Sequence, residues 1–169
     1  MCVLDRADDK GNLREVKRVK PAVLSPNAAR VIDVNVNRLT EALKVIEDIV
    51  RFGLESKALL RRVRTLRTDL GREMMRLRRQ VILFRASEKD LGRSDRFDRL
   101  QRRNLEDVLL ANCKRAEEAA RVLEEILKIN AGGTTGKWSG IFKEARFRLY
   151  SIEKALVVQL RAKRLDLEG

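Results

Sequence analysis

A stretch that occurs twice constrains this chain more than any other feature. Asn35-Val36-Asn37-Arg38-Leu39-Thr40-Glu41-Ala42-Leu43-Lys44-Val45-Ile46-Glu47-Asp48-Ile49-Val50-Arg51 returns 77 residues later as Asn112 to Lys128. Seven of the 17 positions are identical and five more are conservative, Asp48 to Glu125 and Arg51 to Lys128 among them. Ordinary residue usage would give about one identity by chance. Leu39, Ala42, Leu43, Ile46, Ile49 and Val50 recur at the three- and four-residue steps of an amphipathic helix.

Around this repeat the spacing predicts four long helices, over about 28–54, 57–80, 99–129 and 138–163. Asn27 is the expected cap of the first and Gly53 its expected stop. Leu59, Leu60, Val63, Leu66, Leu70, Met74 and Leu77 form the apolar line of the second. Leu105, Val108, Leu109, Asn112, Ala116, Ala119, Val122, Leu123 and Ile126 form the inward side of the third. Ile141, Ala145, Leu149, Ile152, Leu156 and Leu160 line the fourth. After a two-residue shift, Arg67 falls opposite Arg146 and Leu70 opposite Leu149. The expected fold class is therefore all-α. Two duplicated αα-hairpins, about 30–80 and 105–163, close as a pseudo-twofold four-helix bundle within 28–165. Residues 1–27 read as a flexible arm of mixed charge, ended by Pro21 and Pro26. Val81 to Phe84 is too short to assign by period and reads as a helix end or extended plug; Arg85 to Asp98 reads as a loop.

The chemistry is bounded by what the chain lacks. Its 169 residues include no histidine, which removes histidine acid/base chemistry and most zinc sites. Cys2 and Cys113 form no metal or redox spacing, so the chain reads as reduced and cytoplasmic, with Cys113 packed as a small apolar residue. No apolar run approaches the roughly 20 residues that a membrane span needs. A net charge of +13 calls for an anionic partner. Residues 61–103 concentrate it, with 15 basic against 6 acidic side chains. Gly132 to Lys137 imitates a phosphate loop, but Ala131 stands at the first required glycine and Trp138 where a magnesium-binding hydroxyl belongs.

Polar residues of the repeat stand out because type and spacing persist in both copies. Arg38, Glu41, Arg115 and Glu118 read singly as surface pairs; as a set they bring guanidinium and carboxylate groups toward one axis. Asn112 sits deep within a helix, where capping does not explain it and a buried amide must satisfy both donor and acceptor. Lys44–Asp48, Arg38–Glu41 and Glu47–Arg51 have the spacing of helix-surface ion pairs.

Asp33-x-Asn35-x-Asn37-Arg38-x-x-Glu41-Ala42-Leu43-x-Val45-x-Glu47-Asp48-x-x-Arg51-Phe52 resembles the helical domain often fused in front of thiamine-phosphate synthase. Three further segments agree: Arg85 with Asp90-Leu91-Gly92, then Ala111-Asn112-x-Lys114-Arg115-x-x-Glu118-Ala119-x-Arg121-Val122-Leu123-Glu124-Glu125, then Arg146-x-x-Leu149-Tyr150-x-x-Glu153-Lys154. The resemblance covers about 30–160 and implies a part in thiamine biosynthesis. It implies a domain proposed as an alternative kinase for hydroxymethylpyrimidine phosphate, with ATP and Mg²⁺ as cofactors. This chain departs from the family at Ala86 and Arg93, in a loop expected near phosphate.

Under that resemblance Asp33, Glu41 and Glu118 are the candidate catalytic carboxylates, to hold magnesium or accept a proton. Arg38, Arg85, Lys114, Arg115 and Arg121 are candidate phosphate ligands. Asn35, Asn37 and Asn112 are candidates to read the pyrimidine edge. Asp48, Asp90 and Glu125 complete the binding set. Expected partners are a phosphorylated pyrimidine, thiamine-phosphate synthase and a second copy in a homodimer. Two other readings compete: a non-catalytic domain that regulates or dimerises the synthase, and a basic nucleic-acid-binding protein. Aromatics at 4% leave few stacking platforms for the latter.

Overall fold

The computed structural model describes residues 24–94, 101–129 and 134–168. Four helices form the body: α1 (Pro26–Ile49), α2 (Lys57–Val81), α3 (Leu105–Ile126) and α4 (Thr134–Glu168). Among the described residues there is no strand. The arm expected over residues 1–27 lies outside them as far as residue 23. The same holds for the glycine segment up to residue 133 and for the end of the 85–98 loop.

Each hairpin packs α1 on α2 and α3 on α4, while α1 and α3 form the most extensive contact between the hairpins. The core follows the apolar stripes. Ile32, Leu39, Leu43 and Ile46 of α1 and Leu109, Ala116, Ala120 and Leu123 of α3 are almost completely buried. Leu59, Val63, Leu66, Leu70 and Leu77 of α2 are buried, and so are Trp138, Phe142, Ala145, Leu149 and Leu156 of α4, each 79 positions later. No described helix is long and apolar enough to cross a membrane.

Several boundaries differ from the sequence expectation for identifiable reasons. Ser25 rather than Asn27 caps α1, its hydroxyl accepting from the Ala28 amide, with Pro26 in the first turn, where a missing N–H costs nothing. After Ile49 the backbone widens into a π-helical turn, Val50–Leu54, closed by Glu55 at φ 54°. Such turns concentrate at functional sites. Helix α3 starts at Leu105 rather than near 99, because Asn104, itself extended, caps it by accepting from the Asp107 amide. Leu105, expected to face inward, is 60% exposed in that first turn. The run 82–84 is a 3₁₀ turn that continues α2 and packs against α1, the helix-end alternative, with Ile82 half-buried and Leu83 89% exposed.

Candidate functional site

The polar stripes of α1 and α3 meet in one cleft of about 740 Å³, a volume suited to small-molecule ligands. Its polar lining is Asn35, Arg38 and Glu41 from α1 and Asn112, Arg115 and Glu118 from α3. Its apolar floor is Ala42 and Val45 against Ala119 and Val122. All ten positions form pairs 77 residues apart.

The asparagines explain why amides sit mid-helix. Asn35 Nδ2 donates to the Val31 carbonyl and Asn112 Nδ2 to the Val108 carbonyl, both at 2.8 Å. Each amide is thus fixed on its own helix by one N–H. Both asparagines line the cleft.

The α1 end of the cleft is walled by the segment that follows α2. Arg85 holds Asp33 through two hydrogen bonds of 2.7 Å, which pins the segment 52 residues away in sequence. Asp33 is buried, and its hydrogen bonds hold the Arg85 guanidinium above its ordinary pKa. The Asp90 carboxylate accepts from the Gly92 amide at 2.9 Å and shapes the turn. A recess of about 230 Å³ lies between Arg30, Asp33, Asn37 and this segment. Another of about 670 Å³ lies between Arg38, Ser87, Glu88 and Asp90, so Arg38 borders both cleft and wall.

The remaining candidate residues are held elsewhere. Lys114 turns toward α4 and donates to Glu117 and Glu153 at 2.9 and 2.8 Å, which raises its pKa. Asp48 pairs with Lys44, as the helix spacing predicts. Arg121 donates to Glu124 at 3.0 Å and pairs with Glu125, and Glu125 also receives Lys128. The hydrogen bond from Lys128 and neighbouring positive charge hold the Glu125 carboxyl below its ordinary range. Arg51, expected to pair with Glu47, lies 4.6 Å over the Phe52 ring instead.

Three polar features were not anticipated. Glu47 is taken by Arg64 and Arg67 of α2, and Glu124 by Arg146 of α4. Burial raises the Glu124 carboxyl, but the hydrogen bond and charge of Arg146, helped by Arg121, outweigh it and leave a net lowering. Trp138 Nε1 donates to Glu73 at 2.9 Å, the main reason that carboxyl is lowered. Glu117 is buried with one oxygen unpartnered, and burial pushes its carboxyl up against the opposing pull of Lys114. Burial likewise pushes the Cys113 thiol to about 12, so it is an inert core residue. The sequence signal for Glu117 was its place between Cys113, Ala116 and Ala120 on the buried arc of α3.

The part of the basic segment in α2 lies beside an open groove of about 540 Å³ bordered by Lys57, Arg61 and Arg64. Of the α2 side chains, Arg64 and Arg67 are taken by Glu47 and Arg76 by Glu73, while Asp69 pairs with Arg148 of α4. Among the described residues no group of three or more histidine, cysteine or acidic side chains could hold a metal ion.

Comparison with known proteins finds relatives in sequence. The chain is 35% identical to the thiamine-phosphate synthase of Thermosynechococcus vestitus over 91% of its own length and 42% of that protein's. It is 42% identical to that of Synechococcus sp. over 60% of the chain and 28% of the relative, and 32% identical to that of Synechocystis sp. over 84% and 40%. It thus spans well under half of these curated relatives. No solved structure matches. The ThiD2 family profile matches residues 30–155, which contain both stripes of the cleft and the wall beside them. The chain belongs to the ThiD2 family, a helical domain tied to thiamine biosynthesis through its thiamine-phosphate synthase relatives.

Proposed function

We propose that the α1–α3 cleft binds a phosphorylated aminopyrimidine and that the domain phosphorylates hydroxymethylpyrimidine phosphate to its diphosphate at the expense of ATP. The observation that carries this reading is the duplicated lining of Asn, Arg and Glu in one cleft. An amide fixed through one N–H can turn its other N–H and its carbonyl to an amino group beside a ring nitrogen. Arg38 and Arg115 supply charge-assisted hydrogen bonds to phosphate oxygens. The membership of thiamine-phosphate synthases among the relatives supports the choice of pyrimidine.

In this reaction an acceptor phosphate oxygen attacks the γ-phosphorus and the bond to the β,γ-bridging oxygen breaks, releasing ADP. The second ionisation of a phosphate monoester lies near 6, so that oxygen is already ionised at neutral pH. The step therefore asks for positioning and charge neutralisation more than for a general base. Arg38 and Arg115 meet that demand, while Asp33, already paired with Arg85, holds the wall. Magnesium is commonly held by one or two carboxylates plus substrate phosphates, and Glu41 with Glu118 is the carboxylate pair lining the cleft. When bound there it would neutralise phosphate charge.

The test is thermal stabilisation by hydroxymethylpyrimidine phosphate with Mg-ATP, followed by chromatography for the diphosphate. Stabilisation together with product is expected. Stabilisation without product would leave a binding domain, and no response to either ligand would overturn the reading.

A further inference from the structure

We infer that the cleft is two half-sites, each taking one ligand that presents an amino-substituted pyrimidine edge and a phosphate. This rests on the binding reading above and goes beyond it. One half-site is Asn35, Arg38 and Glu41 on α1; the other is Asn112, Arg115 and Glu118 on α3. Each is complete on its own, with an amide for the ring edge, a guanidinium for phosphate and a carboxylate beside it. One small ligand consumes one such set. A volume of about 740 Å³ accommodates two small ligands side by side.

What surrounds each half assigns the occupants. The α1 half is closed by the wall that Asp33 and Arg85 pin, with Arg38 shared between cleft and wall. At the position 77 after Asp33 the α3 half has Leu110, so among the described residues that half has no counterpart of the Asp33–Arg85 pin. Instead, the helical faces that line that half run on to Ile49 and Phe52 of the first hairpin and to Val108 and Leu105 of α3. Those two ends touch, since a Cβ on Gly53 would lie 3.6 Å from Leu105 Cδ1. Phe52 is 67% exposed on the π-helical turn; 77 positions later, toward the walled end, stands Ile129. A closed polar half suits the compact acceptor. The α3 half lacks that pin among the described residues and runs toward the exposed Phe52 ring, one face of which Arg51 covers. It suits a purine nucleotide, whose six-membered ring carries the same amino-pyrimidine edge and whose larger bulk needs room and a stacking face.

Isothermal titration of the full chain with hydroxymethylpyrimidine phosphate and with the non-hydrolysable analogue adenylyl imidodiphosphate tests this. Each probe should bind one equivalent, and both together. Arg38→Gln should weaken the pyrimidine at least about 10-fold more than the nucleotide, and Arg115→Gln should invert that order. Asn35→Ala and Asn112→Ala should follow the same order; the exposed arginines keep the test valid if the buried amides are needed for folding. Competition between the probes for one site, or equal weakening of both by each arginine variant, would overturn the half-sites while leaving the binding reading intact. Failure of the nucleotide analogue alone to bind would overturn the half-sites, and failure of both probes would overturn the binding reading as well.

Discussion

Glu47 and Glu124 lie 77 residues apart, and each receives an arginine from the helix that follows, Arg67 and Arg146, which lie 79 apart. The first hairpin surrounds its carboxylate with partners that remain half-open, Arg64 at 50% and Arg67 at 32% exposure. The second buries the arrangement, with Arg146 at 14% and Arg121 and Lys128 adding charge. A similar divergence appears one face over. Thr40 donates to the Val36 carbonyl and to Met74 of α2, whereas Glu117 at the matching position shares Lys114 with Glu153 of α4. The difference separates what holds the helices together from what the cleft requires. Within the hairpins the Glu–Arg pair recurs with different burial and the Thr40 and Glu117 contacts differ in chemistry, while all three polar residues lining the cleft recur in type.

The comparison can be broken most forcefully in the core. Phe142→Ala should cost about 4 kcal/mol by urea unfolding, against about 2 kcal/mol for Val63→Ala at the matching place in the first hairpin. Equal costs would mean that the second hairpin collapses around the cavity. Next in size are the inter-helix carboxylates. Glu124→Gln should cost about 3 kcal/mol because it strands Arg146, and Glu47→Gln about 2 kcal/mol because its partners reach solvent. At the cleft, Arg38→Gln and Arg115→Gln should change stability by less than about 0.5 kcal/mol, as exposed substitutions do. Each should nonetheless weaken binding of its ligand about 10-fold or more.

The smallest effect concerns pH and isolates the second hairpin. Glu117 has its carboxyl raised, so its contribution is fully present below the ordinary glutamate range and is lost as pH rises through the folded value. Glu124 is lowered, so its contribution is present above that range and is lost as pH falls through its folded value. Glu117→Gln should therefore raise the urea midpoint slightly at pH 7, and the gain should vanish near pH 4. A gain that grows toward acid would contradict the burial argument.

Much of this was legible in the sequence because repetition filters out surface noise. Asn35 with Asn112, Arg38 with Arg115 and Glu41 with Glu118 could be singled out because each type recurs at one spacing, and all six line the cleft. Lys114 and Arg121 shared the motif but not its direction. They lie on the flanks of α3, where nearby glutamates hold them, and linear spacing does not reveal which flank meets another helix. Glu117 was hidden because its counterpart is Thr40. The Asp33–Arg85 contact joins residues 52 apart through a turn with no periodicity, so both were named as candidates without their pairing. The late start of α3 was readable, since Asn104 followed by Asp107 is a capping pattern; the charged run before it masked the boundary.

The most direct test of the cleft is to follow the side-chain amide signals of Asn35 and Asn112 by NMR as hydroxymethylpyrimidine phosphate and the nucleotide analogue are added. The account predicts that both amides shift, Asn35 with the pyrimidine and Asn112 with the nucleotide, together with the backbone of the 85–92 wall. Shifts confined to the basic face of α2, around Lys57, Arg61 and Arg64, with both asparagine amides unmoved, would contradict it.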